Sequence, residues 1–188
     1  MSNPIIEFAE TVPGFYERPE LERLYSFVHA LPDRSIIIEV GVQYGRTASL
    51  YLNENRHRVY LVDCWIENEG DSWPYFQNMV TTNNWYQYTG IWQRSDSAAT
   101  WTPESGVDLI HIDGGHTPEV VWRDCECYLP KLKVGGIAMF HDYKRPGADP
   151  TTGSVFPGVD KAVDHFTGNS NWEDLGTVLT QACRRKLA

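Results

Sequence analysis

The sequence has few of the features that mark a nucleic-acid or membrane protein. Its formal net charge is −9, and its one basic cluster is Arg184-Arg185-Lys186 near the carboxyl end. Because phosphate backbones are bound through basic surfaces, we expect no nucleic-acid partner. No apolar run approaches the roughly 20 residues that span a bilayer, and residues 1–10 lack the basic and apolar regions of a signal peptide. We therefore expect no membrane partner.

Cysteine is also scarce, and its spacing excludes two kinds of structural cross-link. The four residues, Cys64, Cys125, Cys127 and Cys183, show neither a disulfide framework nor the spacing of a zinc site. Cys125-x-Cys127 is one residue short of the C-x-x-C spacing and falls within a helical pattern. We expect reduced, buried thiols in a cytoplasmic protein.

The sequence does contain short apolar runs that alternate with helical patterns. Residues 36–40 form an apolar run that ends in a glycine turn, as is typical of a strand buried on both faces of a parallel sheet. Further strands are predicted at 59–62, 89–94, 107–112, 137–140 and within 174–184. Helices are predicted at 18–31, 46–54, 74–83, from Thr117 onward and around 159–166. This alternation predicts a doubly wound α/β sheet.

Four of the predicted strands end in polar side chains. These are Glu39, Asp63, Asp113, and His141 with Asp142. Ligands of open α/β sheets bind beyond the carboxyl ends of the strands. We therefore expect these side chains to converge on a ligand site at one edge of the sheet.

The glycine turn indicates which kind of ligand binds there. Its spacing is Glu39-x-Gly41-x-x-x-Gly45, whereas the dinucleotide fingerprint is Gly-x-Gly-x-x-Gly, which needs a tight helix N-terminus for the pyrophosphate. The looser spacing favours a ligand without phosphate, such as a methionine moiety. Asp63 ends the second strand, where an acid can bind ribose hydroxyls, and a nicotinamide enzyme would use it in the same way.

Three ordered segments carry a resemblance to a known family. Residues 37–47 resemble motif I of the class I S-adenosylmethionine-dependent methyltransferases. Residues 108–116 and 128–143 are similar to one branch of that superfamily, methyltransferase family 24, which includes small-molecule O-methyltransferases related to the macrocin type. The resemblance extends from about Gly14 to Tyr143 and weakens afterwards, where contacts to the substrate are expected.

The resemblance implies a fold and a cofactor site. The fold is a Rossmann-like, doubly wound seven-stranded sheet of order 3-2-1-4-5-7-6 with strand 7 antiparallel. Residues 1–34 are then an N-terminal helical segment that packs on the core, and residues 35–188 form the S-adenosylmethionine-binding domain. Trp65 follows Asp63 closely enough to cover the nucleoside. The predicted cofactor-binding residues are Glu39, Gly41, Tyr44, Gly45, Thr47, Asp63, Trp65, Ser95, Asp96, Ser97 and Asp113, of which Ser95 to Ser97 lie near the adenine.

Metal-dependent relatives hold Mg²⁺ with an acid after the fourth strand and a polar pair after the fifth. The matching positions here are Asp113, and His141 with Asp142. Mg²⁺ prefers oxygen ligands, whereas His141 stands where some relatives have an acid, and imidazole favours transition metals. A site for Mg²⁺ or another divalent metal is therefore a hypothesis at this stage.

The general base is also open, because Gly115 stands where many relatives have an aspartate. His116 is the best substitute, since an unperturbed imidazole has a pKa near 6.5. Asp113 is the second predicted catalytic residue. The alternative for His116 is a structural hydrogen bond that positions the following helix. His111, inside the fourth strand, is interpreted as a core residue.

These observations together predict an S-adenosylmethionine-dependent methyltransferase (EC 2.1.1.-) that acts on a small hydroxylated molecule. One alternative is a catalytically idle domain that binds the cofactor, which the missing acid at Gly115 keeps open. The other is an NAD(P)-dependent oxidoreductase, which the glycine spacing disfavours. The aromatic residues between Trp65 and Trp92 fit core packing or a homodimer interface. Residues 144–158 fit either a substrate lid or a flexible connection.

Overall fold

The computed structural model describes residues 3–65, 72–147, 149, 151 and 153–188. Within this part of the chain, helices and strands alternate after an N-terminal helical pair, and short 3₁₀ turns follow α5 and α6. The elements are α1 Pro4–Thr11, α2 Arg18–Ala30, β1 Ile36–Val40, α3 Ala48–Glu54, β2 Arg58–Asp63, α4 Ser72–Thr82, β3 Tyr88–Trp92, α5 Ser95–Ala98, β4 Val107–Ile112, α6 Pro118–Tyr128, β5 Leu132–Phe140, α7 Pro157–Thr167, β6 Trp172–Val178 and β7 Gln181–Lys186.

The strands form one seven-stranded sheet of order β3-β2-β1-β4-β5-β7-β6. The strands β1 to β5 pair in parallel, and β7 runs antiparallel to both β5 and β6. This order and the antiparallel β7 confirm the predicted Rossmann-like sheet. The carboxyl ends of β1, β2, β4 and β5 therefore lie side by side at one edge.

Both faces of the sheet are covered, which explains the apolar runs in the sequence. All six residues of β4 are buried. Successive side chains of a strand point to opposite faces, so Ile37 and Leu109 pack with helices α1 to α4 on one face. Ile38 and Ile110 pack with α6 and α7 on the other face. A strand covered on both sides must be apolar at nearly every position.

The last part of the sheet differs from the strand pattern read directly from the sequence. One strand was expected within 174–184, and the structure has a hairpin of two, β6 and β7, whose turn includes Leu179 at a φ of 51°. β6 is an edge strand with no fully buried residue, so it leaves no apolar run. β5 also begins earlier than expected, at Leu132, because its first half contains exposed residues.

The start of α6 follows its predicted chemistry. Thr117 is the N-cap residue, its hydroxyl accepts a hydrogen bond from the Val120 N–H (3.4 Å), and Pro118 occupies the first turn. Such a cap satisfies one of the backbone donors that a helix leaves unpaired at its start. The cap fixes where the chain turns after β4 and so fixes the loop that carries Asp113 and His116.

Two predictions about the chain as a whole can be compared with the structure. All four cysteines lie among the described residues and are free of disulfides. Cys125 and Cys183 are buried as predicted, whereas Cys64 and Cys127 are only half-buried. In the same part of the chain, no helix is both long and apolar enough to cross a membrane.

Asp124 is a buried acid on the inner face of α6. It is fully buried, and neither of its carboxylate oxygens accepts a hydrogen bond of good geometry from the described residues. Burial raises the pKa of Asp124 to about 6, while the nearby Ser95 hydroxyl opposes the shift. A buried carboxylate without partners destabilises the folded state when it is charged.

We expect Asp124→Asn to remove a pH dependence of stability. The folded-state pKa lies above the unfolded one, so this acid contributes stability at low pH that is lost as the pH rises through about 6. Between about pH 4 and about pH 8, wild type should lose on the order of 3 kcal/mol relative to the variant.

Urea unfolding across this pH range measures the difference. Glu126→Gln, an exposed acid of the same helix, is the matched control and should follow wild type. A pH-independent difference between wild type and Asp124→Asn would show that Asp124 is not a buried acid of raised pKa.

Candidate active site

A cleft of about 480 Å³ opens at the carboxyl ends of β1, β2, β4 and β5. Its walls come from the segment before α2, the glycine turn, and the loops that follow β2, β3, β4 and β5. The predicted site residues among its lining are Gly41, Thr47, Asp63, Trp65, Ser95, Asp113, His116, His141 and Asp142. The structure thus brings polar side chains from four separate strand ends to one cavity.

The other predicted cofactor residues lie beside the cleft or away from it. Glu39 is fully buried, and its carboxylate accepts a hydrogen bond from the hydroxyl of Thr47. The ring of Tyr44 packs against Tyr75. Asp96 accepts a hydrogen bond from the N–H of Ser97 (2.8 Å) at the start of α5. Gly45, at the end of the turn, is buried against α4.

The two glycines of the turn are required by the protein's own packing. Gly41 has a φ of 91°, and a Cβ there would lie 1.9 Å from the backbone oxygen of Asp113. Gly45 has a φ of 87°, and a Cβ there would lie 2.6 Å from the ring of Phe76. Positive φ and close approach both favour glycine. The close neighbours that require these glycines are the loop after β4 and the helix α4.

Asp63 holds the glycine turn in place. Its Oδ2 accepts hydrogen bonds from the N–H groups of Val42 (2.7 Å) and Gln43 (2.8 Å), and its Oδ1 accepts one from the N–H of Trp65 (2.8 Å). A carboxylate has about four acceptor sites. Asp63 therefore keeps capacity for a ligand hydroxyl while it fixes the backbone around it.

Trp65 is tied to the same turn. Its indole N–H donates to the backbone oxygen of Gln43 (3.0 Å), and its ring packs with Trp73, Phe76 and Trp92. Trp65, the residue expected to cover the nucleoside, is thus held in position by an aromatic cluster.

A buried network links Glu39 to the fourth strand. The Oε1 atom of Glu39 lies 3.3 Å from Nδ1 of His111. The two ring nitrogens of His111 also contact the hydroxyls of Tyr51 (3.0 Å) and Tyr16. His111 is therefore a satisfied core residue, as expected. The Oε2 of Glu39 has no hydrogen-bond partner among the described residues, and burial raises the pKa of this carboxyl. An unpartnered buried acceptor is costly to the fold unless a ligand supplies a donor.

Two histidines and two aspartates form an ion-paired cluster at the other end of the cleft. His116 Nε2 lies 2.8 Å from Asp142 Oδ2 and 3.9 Å from Asp113 Oδ1. His141 Nδ1 lies 3.3 Å from Asp113 Oδ1 and 3.5 Å from Asp142 Oδ2. The second Asp142 oxygen pairs with Arg145 at 2.8 Å. We call these two histidines and two aspartates the reaction centre, a name for the role that we propose for them.

The carboxylates of the reaction centre stabilise the protonated histidines. The neighbouring carboxylates of Asp113 and Asp142 raise the pKa of His116 to about 9. Burial alone would lower the pKa of His141, but Asp113, Asp142 and Glu20 together raise it to about 12. Burial would raise the pKa of Asp142, yet the two histidines and Arg145 hold it well below its usual range. His116 therefore carries a proton at neutral pH, unlike the imidazole assumed from the sequence.

Several lining residues were missed from the sequence. Tyr16 lies against the reaction centre, and Gln93 and Arg94 line the cleft after β3. Arg46 donates to the backbone oxygens of Glu10 (3.1 Å), Val12 (2.7 Å) and Tyr16. The sequence offered a signal only for Arg46, which lies within the glycine-turn motif. Tyr16, Gln93 and Arg94 have no distinctive spacing.

The strand order, the glycine turn and the acids at the strand ends define the Rossmann-like fold of the class I methyltransferases. A family model described as a methyltransferase domain matches residues 38–143, more than half of the chain. The chain belongs to this methyltransferase family.

Comparisons with individual proteins agree with the fold. A protein assigned as a caffeoyl-CoA O-methyltransferase of Staphylococcus aureus has a TM-score of 0.76 at 17% identity, over 98% of this chain and 93% of that one. The S-adenosylhomocysteine-bound methyltransferase PaMTH1 of Podospora anserina has a TM-score of 0.69 at 14% identity, over 98% and 87%. The uncharacterized protein y4gI of Sinorhizobium fredii is 28% identical over 61% of this chain, which spans only 14% of that relative's length.

We expect Gly41→Ala to destabilise the protein by on the order of 4 kcal/mol, because the new Cβ would clash with the backbone of Asp113. Gly106→Ala is the matched control, since Gly106 also has a positive φ (79°) but no neighbour within 4 Å of the added Cβ. The control should lose only about 1 kcal/mol from backbone strain. Denaturant unfolding of both variants measures this, and equal losses would contradict the close approach of Gly41 to β4.

Proposed function

We propose that the protein transfers the methyl group of S-adenosylmethionine to a hydroxyl oxygen of a small molecule. The observation that carries the proposal is the continuous cleft from the end of β2 to the end of β5. Three strand spacings separate these ends, about 14 Å. This distance leaves room for a nucleoside beside Asp63 and for a reacting group beside the reaction centre. Membership of the methyltransferase family supports this assignment of the two ends.

The residues around the glycine turn fit the proposed cofactor. Glu39 Oε2 is a buried acceptor that lacks a donor among the described residues, and its partner Thr47 lines the cleft. The ammonium of a methionine moiety would supply such a donor. Asp63 retains acceptor capacity for a ribose hydroxyl, with Trp65 beside it. Ser95, which lines the cleft after β3, is then on the adenine side.

Methyl transfer from a sulfonium is an in-line displacement, so the chain's contribution is mainly alignment and exclusion of water. The hydroxyl of the acceptor must also lose its proton. Nε2 of His116 is the proposed acceptor of that proton, with Asp113 and Asp142 as the carboxylates that hold the resulting charge. Because the pKa of His116 is about 9, this role requires that the ring first lose its own proton.

A divalent metal is a further part of the proposal. One ligand atom each from Asp113, His141 and Asp142 lie within 4.8 Å of one another. Two carboxylates and one imidazole suit a transition metal better than Mg²⁺, and His141 would have to lose a proton to bind one. A bound cation would lower the pKa of the acceptor hydroxyl.

Binding measurements test the cofactor. By calorimetry we expect S-adenosylhomocysteine to bind in the micromolar range and NADH not to bind. Asp63→Asn should weaken the affinity by about tenfold, since it removes a charged acceptor for ribose and one of the oxygens that accept from the backbone around the glycine turn. Asp33→Asn, an exposed acid paired with Arg56, is the control. Binding of NADH without binding of S-adenosylhomocysteine would favour the alternative of an NAD(P)-dependent oxidoreductase.

A second candidate function is a cofactor-binding domain without turnover, which the closed ion pairs of His116 and His141 favour. Turnover by the wild type separates the two candidates, and Asp142→Asn tests whether the reaction centre supplies that turnover. Asn tolerates the positive φ of 59° at this position.

In a panel of hydroxylated acceptors with labelled S-adenosylmethionine, we expect the Asp142→Asn variant to lose turnover by about 100-fold. Its affinity for S-adenosylhomocysteine should stay within about threefold of wild type. The idle domain would be indicated by a wild type that binds cofactor and methylates no acceptor in the panel.

A further inference from the structure

The segment that precedes α2 forms one wall of the cleft. Residues 13–16 line it, next to the loops that carry Asp113 and His141. The guanidinium of Arg46 holds this segment by its three bonds to backbone oxygens of residues 10, 12 and 16. A side chain of the glycine turn thus fixes the position of the N-terminal wall.

Tyr16 extends from this wall onto the reaction centre. Its ring stacks on the imidazole of His141, with centroids 4.0 Å apart and planes inclined by 20°. Its hydroxyl hydrogen-bonds to Nε2 of His111. The residue is almost completely buried. Contacts at both ends of the side chain leave one orientation for the ring, and this orientation covers a face of His141.

Glu20 holds the same imidazole by its edge. Its Oε1 lies 3.6 Å from Nε2 of His141 and accepts hydrogen bonds from the N–H (3.0 Å) and hydroxyl (2.9 Å) of Thr180, in the β6–β7 turn. Its Oε2 accepts a hydrogen bond from the N–H of Glu17 (3.0 Å). The Glu20 carboxylate is therefore fixed by the start of α2 and by the hairpin.

These contacts determine how His141 meets the acids. With its face against Tyr16 and its Nε2 toward Glu20, the ring can present only Nδ1 to Asp113 and Asp142. A ring rotated by 180° would place a carbon atom opposite each carboxylate group. The orientation of His141 therefore depends on two residues far from it in the chain.

We propose that Tyr16 and Glu20 are positioning residues that fix the His141 ring and thereby set the geometry of the reaction centre. The catalytic part of this inference rests on the proposed function, while the orientation of the ring does not. Misplacement of a catalytic group by about 1 Å can reduce a rate by about 100-fold, so such residues would act on turnover without contact to the reacting atoms.

Three tyrosine variants test the proposal. Tyr16→Leu removes the stacked ring, and Tyr16→Phe keeps it and removes the hydroxyl. Tyr51→Phe is the matched control, because Tyr51 is a buried tyrosine whose hydroxyl meets the other nitrogen of the same His111. In two-bond ¹H–¹⁵N spectra of histidine-labelled protein, His141 is assigned by the peaks that His141→Gln removes.

We expect the His141 correlations to shift and broaden in Tyr16→Leu and to stay near their wild-type positions in Tyr16→Phe and Tyr51→Phe. Unchanged His141 signals in a folded Tyr16→Leu protein would overturn the proposal. If Tyr16→Leu does not fold, Glu20→Gln provides the test. This variant keeps an oxygen that accepts from Thr180 and removes the charge opposite Nε2 of His141. The His141 Nε2 signal should then move, and an unmoved signal would again overturn the proposal.

Turnover adds a second measurement. With an acceptor from the panel, kcat of Tyr16→Leu should fall by at least about tenfold, and Tyr16→Phe should restore most of it. A loss seen only in KM would contradict positioning. Calorimetry with S-adenosylhomocysteine separates the two proposals: a wild type that does not bind it removes the proposed function, while the His141 spectra still decide the role of Tyr16 and Glu20.

Discussion

The close approach of β1 and β4 at their carboxyl ends is the constraint on which the rest of the site depends. Gly41 can lie against the backbone of Asp113 only because it lacks a Cβ. This contact joins the glycine turn and the loop after β4 into one surface. Asp63 then holds the turn from the side of β2, and the reaction centre forms on the side of β5. The end proposed for the cofactor and the end proposed for the reaction are thus two parts of one sheet edge.

Charge at this edge is balanced locally, although the chain as a whole is acidic. The reaction centre pairs two aspartates with two histidines, and Arg145 and Glu20 complete the cluster. Partial burial strengthens such pairs because water screens them less. The imidazoles consequently hold protons that exposed histidines would lose near neutral pH. The chemistry available at Asp113 and Asp142 is set by these neighbours as much as by the carboxylates themselves.

Local patterns predicted the sheet and part of the site. The buried strands gave apolar runs, and Asp63 and Asp113 could be found because parallel strands end at one edge. The edge strand β6 was missed, since exposure removes the apolar run. Tyr16 and Glu20 were missed because they meet His141 through folding of distant segments. The raised pKa of His116 was also beyond local reasoning, because it depends on two acids brought together from different loops.

The hydrogen bonds between Arg46 and the N-terminal wall of the cleft bear on how the sequences of such a family diverge. The region that the family model matches covers residues 38–143, yet Tyr16 and Glu20 lie before it and Thr180 lies after it. Two proteins could share every motif and still surround the same aspartates with different neighbours. Changes in the flanking segments would then alter reactivity while the cofactor motifs stay intact. In this chain the cofactor motifs can be recognised from the sequence, whereas the contacts that Tyr16 and Glu20 make with His141 are seen only in the folded structure.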